Sequence, residues 1–142
     1  MRFMIIVKAN PESESGKLPD AEILEKMGRY NEQLVKAGVM LMGEGLQPSA
    51  KGKRVKFEGQ KRTITDGPFT ETKELVAGFW IWQCKSWDEA VEWLKRAPFD
   101  GGVEIEMRQV FESADFEPVD PTGKIRRNEE LLRKFTQEQH GK

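Results

Sequence analysis

Nine consecutive residues of this 142-residue chain, Asp66-Gly67-Pro68-Phe69-Thr70-Glu71-Thr72-Lys73-Glu74, set four charged side chains on a conformational break. Asp-Gly is a turn former, and Pro68 drives Gly67 out of helical geometry, so the backbone is bent and stiff. A bent, stiff loop aims its side chains. Phe69 is expected to anchor the loop in the core, leaving Asp66, Glu71, Lys73 and Glu74 to face water, a ligand or a partner. On the alternative reading, Asp66 caps its own turn and Lys73 pairs with neighbouring acids. Glu104, Glu106 and Arg108 alternate onto one face of a later strand, where Glu106 and Arg108 are close enough to pair. The planar Arg fork suits a carboxylate or phosphate. If that face lines a cavity, Arg108 would hold an anion and Asp66 or Glu106 would act as acid or base; if it points outward, these are solvated charges. Trp80 and Trp82 share a face and, with Tyr30, either line an aromatic pocket or fill the core. The candidate ligand-binding set is therefore Asp66, Phe69, Glu71, Lys73, Glu74, Trp80, Glu106 and Arg108.

Other chemistries find less support. One Cys and one His do not build a usual zinc site, so neither a metal nor a cofactor is expected. Cys84 has no activating neighbour beyond Lys85 and reads as a buried structural thiol. No phosphate-binding loop, dinucleotide fingerprint or Gly-x-Ser-x-Gly elbow occurs. With 23 basic and 24 acidic side chains the formal charge is −1, which gives no electrostatic footprint for nucleic acid and no basic face for a membrane. A lone Cys fits a reducing compartment, and the apolar run at the N-terminus ends at Lys8, too short for a signal or a span; the expected location is the cytoplasm.

The elements that must position these residues follow from periodicity and breakers. Arg2 to Lys8 reads as a first strand, followed by a polar, breaker-rich loop to Pro19. Asp20 caps a helix with Ile23, Leu24, Met27, Leu34 and Val35 on its apolar face, stopped at Gly38. Val39 to Met42 is a second strand, closed by Gly43-Glu44-Gly45-Leu46-Gln47-Pro48. Arg54 to Glu58 and Arg62 to Thr65 form a small hairpin around Gly59. Leu75 to Cys84 is a strand apolar on both faces. The capping box Ser86-Trp87-Asp88-Glu89 starts a second helix that ends before Pro98, and Val103 to Phe111 alternates as a half-buried strand. Beyond Pro118 and Pro121 the chain turns highly charged, and residues 124–139 are either an appended helix or a frayed tail.

This order predicts an α+β fold, a ferredoxin-like βαββαβ plan with an inserted hairpin and both helices on one face of an antiparallel sheet. Residues 1–111 form the domain and 112–142 a C-terminal extension, partly helical. Two helices cover one face, yet Leu75, Phe79 and Ile81 make the other apolar as well. A twofold homodimer with facing sheets, a dimeric α/β barrel, is therefore expected; the alternative is that the C-terminal segment folds over a monomer's open face.

Gly43 to Pro48, Thr65 through Glu74, Gly78-Phe79-Trp80 and Glu106-Met107-Arg108, in that order, resemble the DGPF-domain branch of the YCII-related proteins over about residues 1–111. The resemblance implies a dimeric ferredoxin-like barrel with a cavity, and no established activity. The wider group carries a proposed active-site His in the first helix and an Asp before the Pro that follows the second; Met27 and Ala97 stand there in this chain. Neither transfers a proton, so that chemistry is not expected. Relatives are often encoded beside extracytoplasmic-function sigma factors. The resulting expectation is a small-molecule-binding or catalytic protein with its site around the Asp66–Glu74 loop; the alternative is a regulatory interaction module with such a sigma factor as partner.

Overall fold

The computed structural model describes residues 1–141. Contacts divide these into two compact units, Met1–Val110 and the segment from Phe111 onward. In the first, the chain runs β1 (Arg2–Lys8), α1 (Pro11–Glu14), α2 (Ala21–Lys36), β2 (Met40–Gly45), β3 (Lys53–Glu58), β4 (Lys61–Asp66), β5 (Val76–Gln83), α3 (Trp87–Lys95) and β6 (Ile105–Gln109). Four strands make an antiparallel sheet in the order β2-β5-β1-β6, and β3 and β4 pair apart from it as a two-stranded ribbon. Counting only the four sheet strands, the order is 2-3-1-4, the ferredoxin-like arrangement.

Register explains how the sheet divides its side chains. Phe3 stands opposite Trp82 and Ile5 opposite Trp80, so all four point to one face, where they pack with Tyr30, Leu34 and Ala90 from the two long helices. Tyr30 also fixes α2 to α3, its hydroxyl donating to the Trp93 carbonyl at 2.6 Å. The other face shows two cross-strand rows: Met42, Ile81, Met4, Arg108 and then Glu44, Phe79, Ile6, Glu106. Its centre is apolar and its edges are charged.

Capping sets the helix boundaries. The Asp20 carboxylate accepts the Ile23 N–H at 2.9 Å and Gly38 takes a positive φ of 72° beyond the end of α2. Ser86 Oγ accepts the Glu89 N–H at 3.1 Å, while Glu89 returns a carboxylate to the Lys85 N–H at 2.7 Å. Three expectations are revised. The polar loop after β1 contains α1, because Asn10 caps Ser13 and Ser13 answers, with Pro11 at the first turn. The buried stripe of α2 is Met27, Tyr30, Leu34 rather than its whole apolar set; Ile23, Leu24 and Val35 are half or more exposed. β2 continues through both glycines to Gly45, since an edge strand can carry them without breaking a ladder on both sides.

In the second unit a 3-10 stretch, Ser113–Val119, precedes α4 (Lys124–His140), so the charged segment is helical rather than frayed. Its start is held by Asp120, a buried carboxylate that accepts the Arg126 N–H at 3.0 Å, the Ile125 N–H at 3.2 Å and Arg126 Nε at 3.1 Å. Burial opposes its ionisation, but the Arg126 and Ile125 amides and the guanidinium outweigh that and hold the carboxyl below its ordinary range. Among the described residues no helix is long and apolar enough to cross a membrane.

Candidate functional site

A cleft of about 230 Å³ opens between α2 and the β2–β5 half of the sheet. Its origin is a gap in the side-chain rows. Gly45 and Gly78 stand directly opposite one another, with Val7 next in register, so two neighbouring positions on the helix-facing side carry no side chain. The floor there is bare backbone. Gly78 is compulsory, because a Cβ on it would come 2.9 Å from the Glu44 carbonyl oxygen. Gly45 is not: a Cβ there meets nothing within 4 Å.

The walls are Met27 and Asn31 of α2, Trp80 of β5, Val7 of β1 and Phe99 from the loop after α3. Trp80 and Phe99 meet nearly at right angles, with ring centres 6.1 Å apart and planes at 72°. Trp80 Nε1–H donates to Asn31 Oδ1 at 2.9 Å, which fixes which way the Asn31 amide faces. The Asn31 side chain makes no other hydrogen bond among the described residues, so its two amide N–H donors are unbonded. Gly43, opposite Trp80 on the same side, is a further bare position, while Glu44 and Phe79 complete the lining with side chains that register sets on the opposite face of the sheet. Asn31 was not singled out from sequence; it falls four residues after Met27 and three before Leu34, on the buried stripe of α2, and that spacing was the available signal.

Of the eight residues expected to bind a ligand, Trp80 lines this cleft and the other seven do not. Asp66 closes the ribbon, opposite Lys53 and ion-paired with it at 2.6 Å, both side chains exposed. Phe69 does not enter the core cluster. It lies half-buried with the Arg54 guanidinium 3.7 Å over its ring. Glu71, Lys73 and Glu74 are exposed around a 3-10 turn, Thr72–Glu74, that leads directly into β5. Glu106 and Arg108 occupy the helix-free face of the sheet, Glu106 pairing with Lys8 at 3.0 Å and lying 4.0 Å from Arg108. This cleft does not bring the loop, the Glu106–Arg108 pair and Trp80 together.

What holds the loop is Ser49. Its N–H donates to Glu14 at 2.8 Å, its hydroxyl donates to the same carboxylate, and that hydroxyl accepts the Phe69 N–H at 3.1 Å. Gly67 lies so close that a Cβ on it would stand 1.7 Å from the Ser49 carbonyl oxygen; the Gly67–Pro68 peptide is cis. The side-chain and backbone hydrogen bonds from Ser49 hold the Glu14 carboxyl below its ordinary range. Cys84 is buried beneath the sheet end, and burial, helped by Glu89, pushes its thiol up to about 11. Among the described residues no group of three or more His, Cys, Asp or Glu is placed to hold a metal ion.

A four-stranded antiparallel sheet backed by two helices, with a cleft at its glycine-lined edge, defines an α+β protein of ferredoxin-like topology. The YCII-related domain model matches residues 1–114, and the chain belongs to that family. An uncharacterised protein of Rhizobium meliloti (strain 1021), R00369, is 28% identical over 79 residues, which is 56% of this chain and 64% of that protein, less than two thirds of its length. Among solved structures, the 5-chloro-2-hydroxyhydroquinone dehydrochlorinase of Burkholderia phenoliruptrix AC1100, in complex with 2,5-dihydroxybenzoquinone, aligns over 79% of this chain and 95% of its own at 22% identity and a TM-score of 0.45.

Proposed function

We propose that this protein binds a small molecule in the cleft between α2 and the β2–β5 edge. The observation that carries the reading is the paired absence of side chains at Gly45 and Gly78, which leaves a hollow walled by Trp80, Phe99 and Met27 beside unbonded amide donors. A concave, mostly apolar hollow with a few placed polar groups is the usual form of a ligand site. Met27, where the wider family carries its proposed His, lines this same cleft and cannot carry a proton. The reading is therefore binding, with no proton transfer assigned to the cleft walls.

The test is a fragment screen by ligand-observed NMR on the wild-type protein and on Gly45→Val, which puts a side chain into open space on the cleft side. Hits on the wild type that vanish in the variant support the cleft. Hits that persist unchanged in Gly45→Val place binding elsewhere and return attention to the 66–74 loop and Arg108.

We further propose a twofold homodimer through the helix-free sheet face, whose Met4, Ile6, Phe79 and Ile81 form a continuous, only partly buried apolar patch. Glu106 and Arg108 on the edge strand β6 would then stand at its rim. Sedimentation should give a dimer for the wild type and a monomer for Met4→Glu; a wild-type monomer at micromolar concentration refutes it. A second reading, docking to a protein partner of transcription control such as an extracytoplasmic-function sigma factor, is favoured by α4, on which Ile125, Leu131, Leu132 and Phe135 are 54–66% exposed. Capture of such a partner by the full chain but not by one lacking residues 121–142 would support it, and equal capture by both would remove α4 from the reading.

A further inference from the structure

We propose that the cleft selects an uncharged, flat ring compound bearing a hydrogen-bond-accepting oxygen, with the ring in the Trp80–Phe99 corner and the oxygen on the Asn31 amide; this rests on the binding reading above. Three independent features narrow the ligand to that class. The first is shape. Trp80 and Phe99 stand 6.1 Å apart at 72°, so a flat ring lying on one face presents its edge to the other, and both contacts are favoured by ring quadrupoles. A cavity of about 150 Å³ holds benzene, and the 230 Å³ here leaves room for a substituted single ring.

The second is polarity. Asn31 gives its oxygen to Trp80 Nε1–H at 2.9 Å, so what it offers a ligand is a pair of donors. A ligand that buries those donors without an acceptor leaves them unpaired, which costs about tenfold or more in affinity. The third is charge. The side chains that register and packing set on the cleft side, Val7, Met27, Asn31, Trp80 and Phe99, carry none, and the one charged residue of the lining, Glu44, sends its side chain to the other face. An anion entering would lose its hydration with no cation to replace it.

The experiment uses three probes of one size: acetophenone, ethylbenzene, which lacks the acceptor, and benzoate, which carries a charge. Titrations follow the assigned Trp80 indole N–H by NMR. Acetophenone is expected to bind at least about tenfold more tightly than either other probe, the weight of one satisfied donor. Asn31→Asp keeps an oxygen for Trp80 Nε1–H but removes the amide donors; it should weaken acetophenone about tenfold and leave ethylbenzene unchanged. Gly45→Val should abolish binding of all three. If ethylbenzene or benzoate binds as well as acetophenone, or Asn31→Asp leaves acetophenone unaffected, the ligand class is wrong while the cleft remains a site. If no probe moves the Trp80 signal, or Gly45→Val binds like the wild type, the cleft reading falls and takes this inference with it.

Discussion

Gly45 and Gly78 are direct partners across the β2–β5 ladder, and replacing each in turn by alanine separates space from backbone freedom. Either change removes a glycine from a strand, and each should gain about 0.5–1 kcal/mol from the reduced freedom of the unfolded chain. That term cancels in the comparison. What differs is the neighbourhood: the new methyl at 45 meets nothing within 4 Å, whereas at 78 it comes 2.9 Å from the Glu44 oxygen and 3.5 Å from Gly45 Cα, both backbone atoms. Backbone in a paired strand yields poorly, and overpacking of this kind costs about 1–3 kcal/mol. Gly78→Ala should therefore be about 1–3 kcal/mol less stable than Gly45→Ala, a difference of about 1 M in urea midpoint for an ordinary slope. All four tryptophans, Trp80, Trp82, Trp87 and Trp93, fall in the first unit, so their fluorescence reports its unfolding alone. Equal midpoints, or a lower one for Gly45→Ala, would refute the account of the cleft floor.

The same geometry makes Gly67 the least replaceable residue of its loop: with 1.7 Å between a Cβ and the Ser49 oxygen, Gly67→Ala should lower the urea midpoint further than Asp66→Ala, whose exposed ion pair with Lys53 is worth about 0–1 kcal/mol. Glu14 should titrate below its ordinary value in carboxyl NMR and rise only part of the way back in Ser49→Ala, which removes the hydroxyl donor and keeps the backbone one; an ordinary midpoint in the wild type would contradict the clamp. Because Glu14 and Asp120 both have depressed folded pKa values, the stability they contribute is complete above the ordinary carboxylate range, near pH 4, and is lost as pH falls through the depressed values. Helicity and loop signals should hold from pH 7 to 5 and decline only below it; a loss centred near pH 6 would be the wrong sign and place. Cys84, with its thiol raised to about 11, is about one part in ten thousand thiolate at pH 7, so iodoacetamide should label the native protein far more slowly than the urea-unfolded chain.

Strands, long helices and topology were legible because pattern and breaker agree: Arg2–Lys8 is a short apolar run between clean limits, and Ser86-x-x-Glu89 announces α3. The 66–74 stretch was legible as a special loop but not as a braced one, since its brace is Ser49, seventeen residues before Asp66, and Glu14, thirty-five before that. Long-range hydrogen bonds leave no local pattern. The cleft was hidden for a related reason. Gly43 to Pro48 reads as the end of pairing, and only the register that puts Gly45 opposite Gly78 turns two ordinary glycines into a hollow. Arg108 and Trp80 each looked like site residues, but alternation along single strands does not say which faces meet.

The hollow's dimensions rest on unequal permissions. Of the facing pair Gly45 and Gly78, one is closed to change by the neighbouring strand, while the other accepts side chains of graded size into empty space. Alanine or serine at position 45 would trim the hollow in small steps, and valine would fill it, while the aromatic corner and the Asn31 donors stay where they are. Each methylene gained or lost against a bound ring shifts discrimination by about 10–200-fold. If the proposed cleft binds its ligand, selectivity would thus be set at one edge residue, independently of the scaffold that makes the cleft.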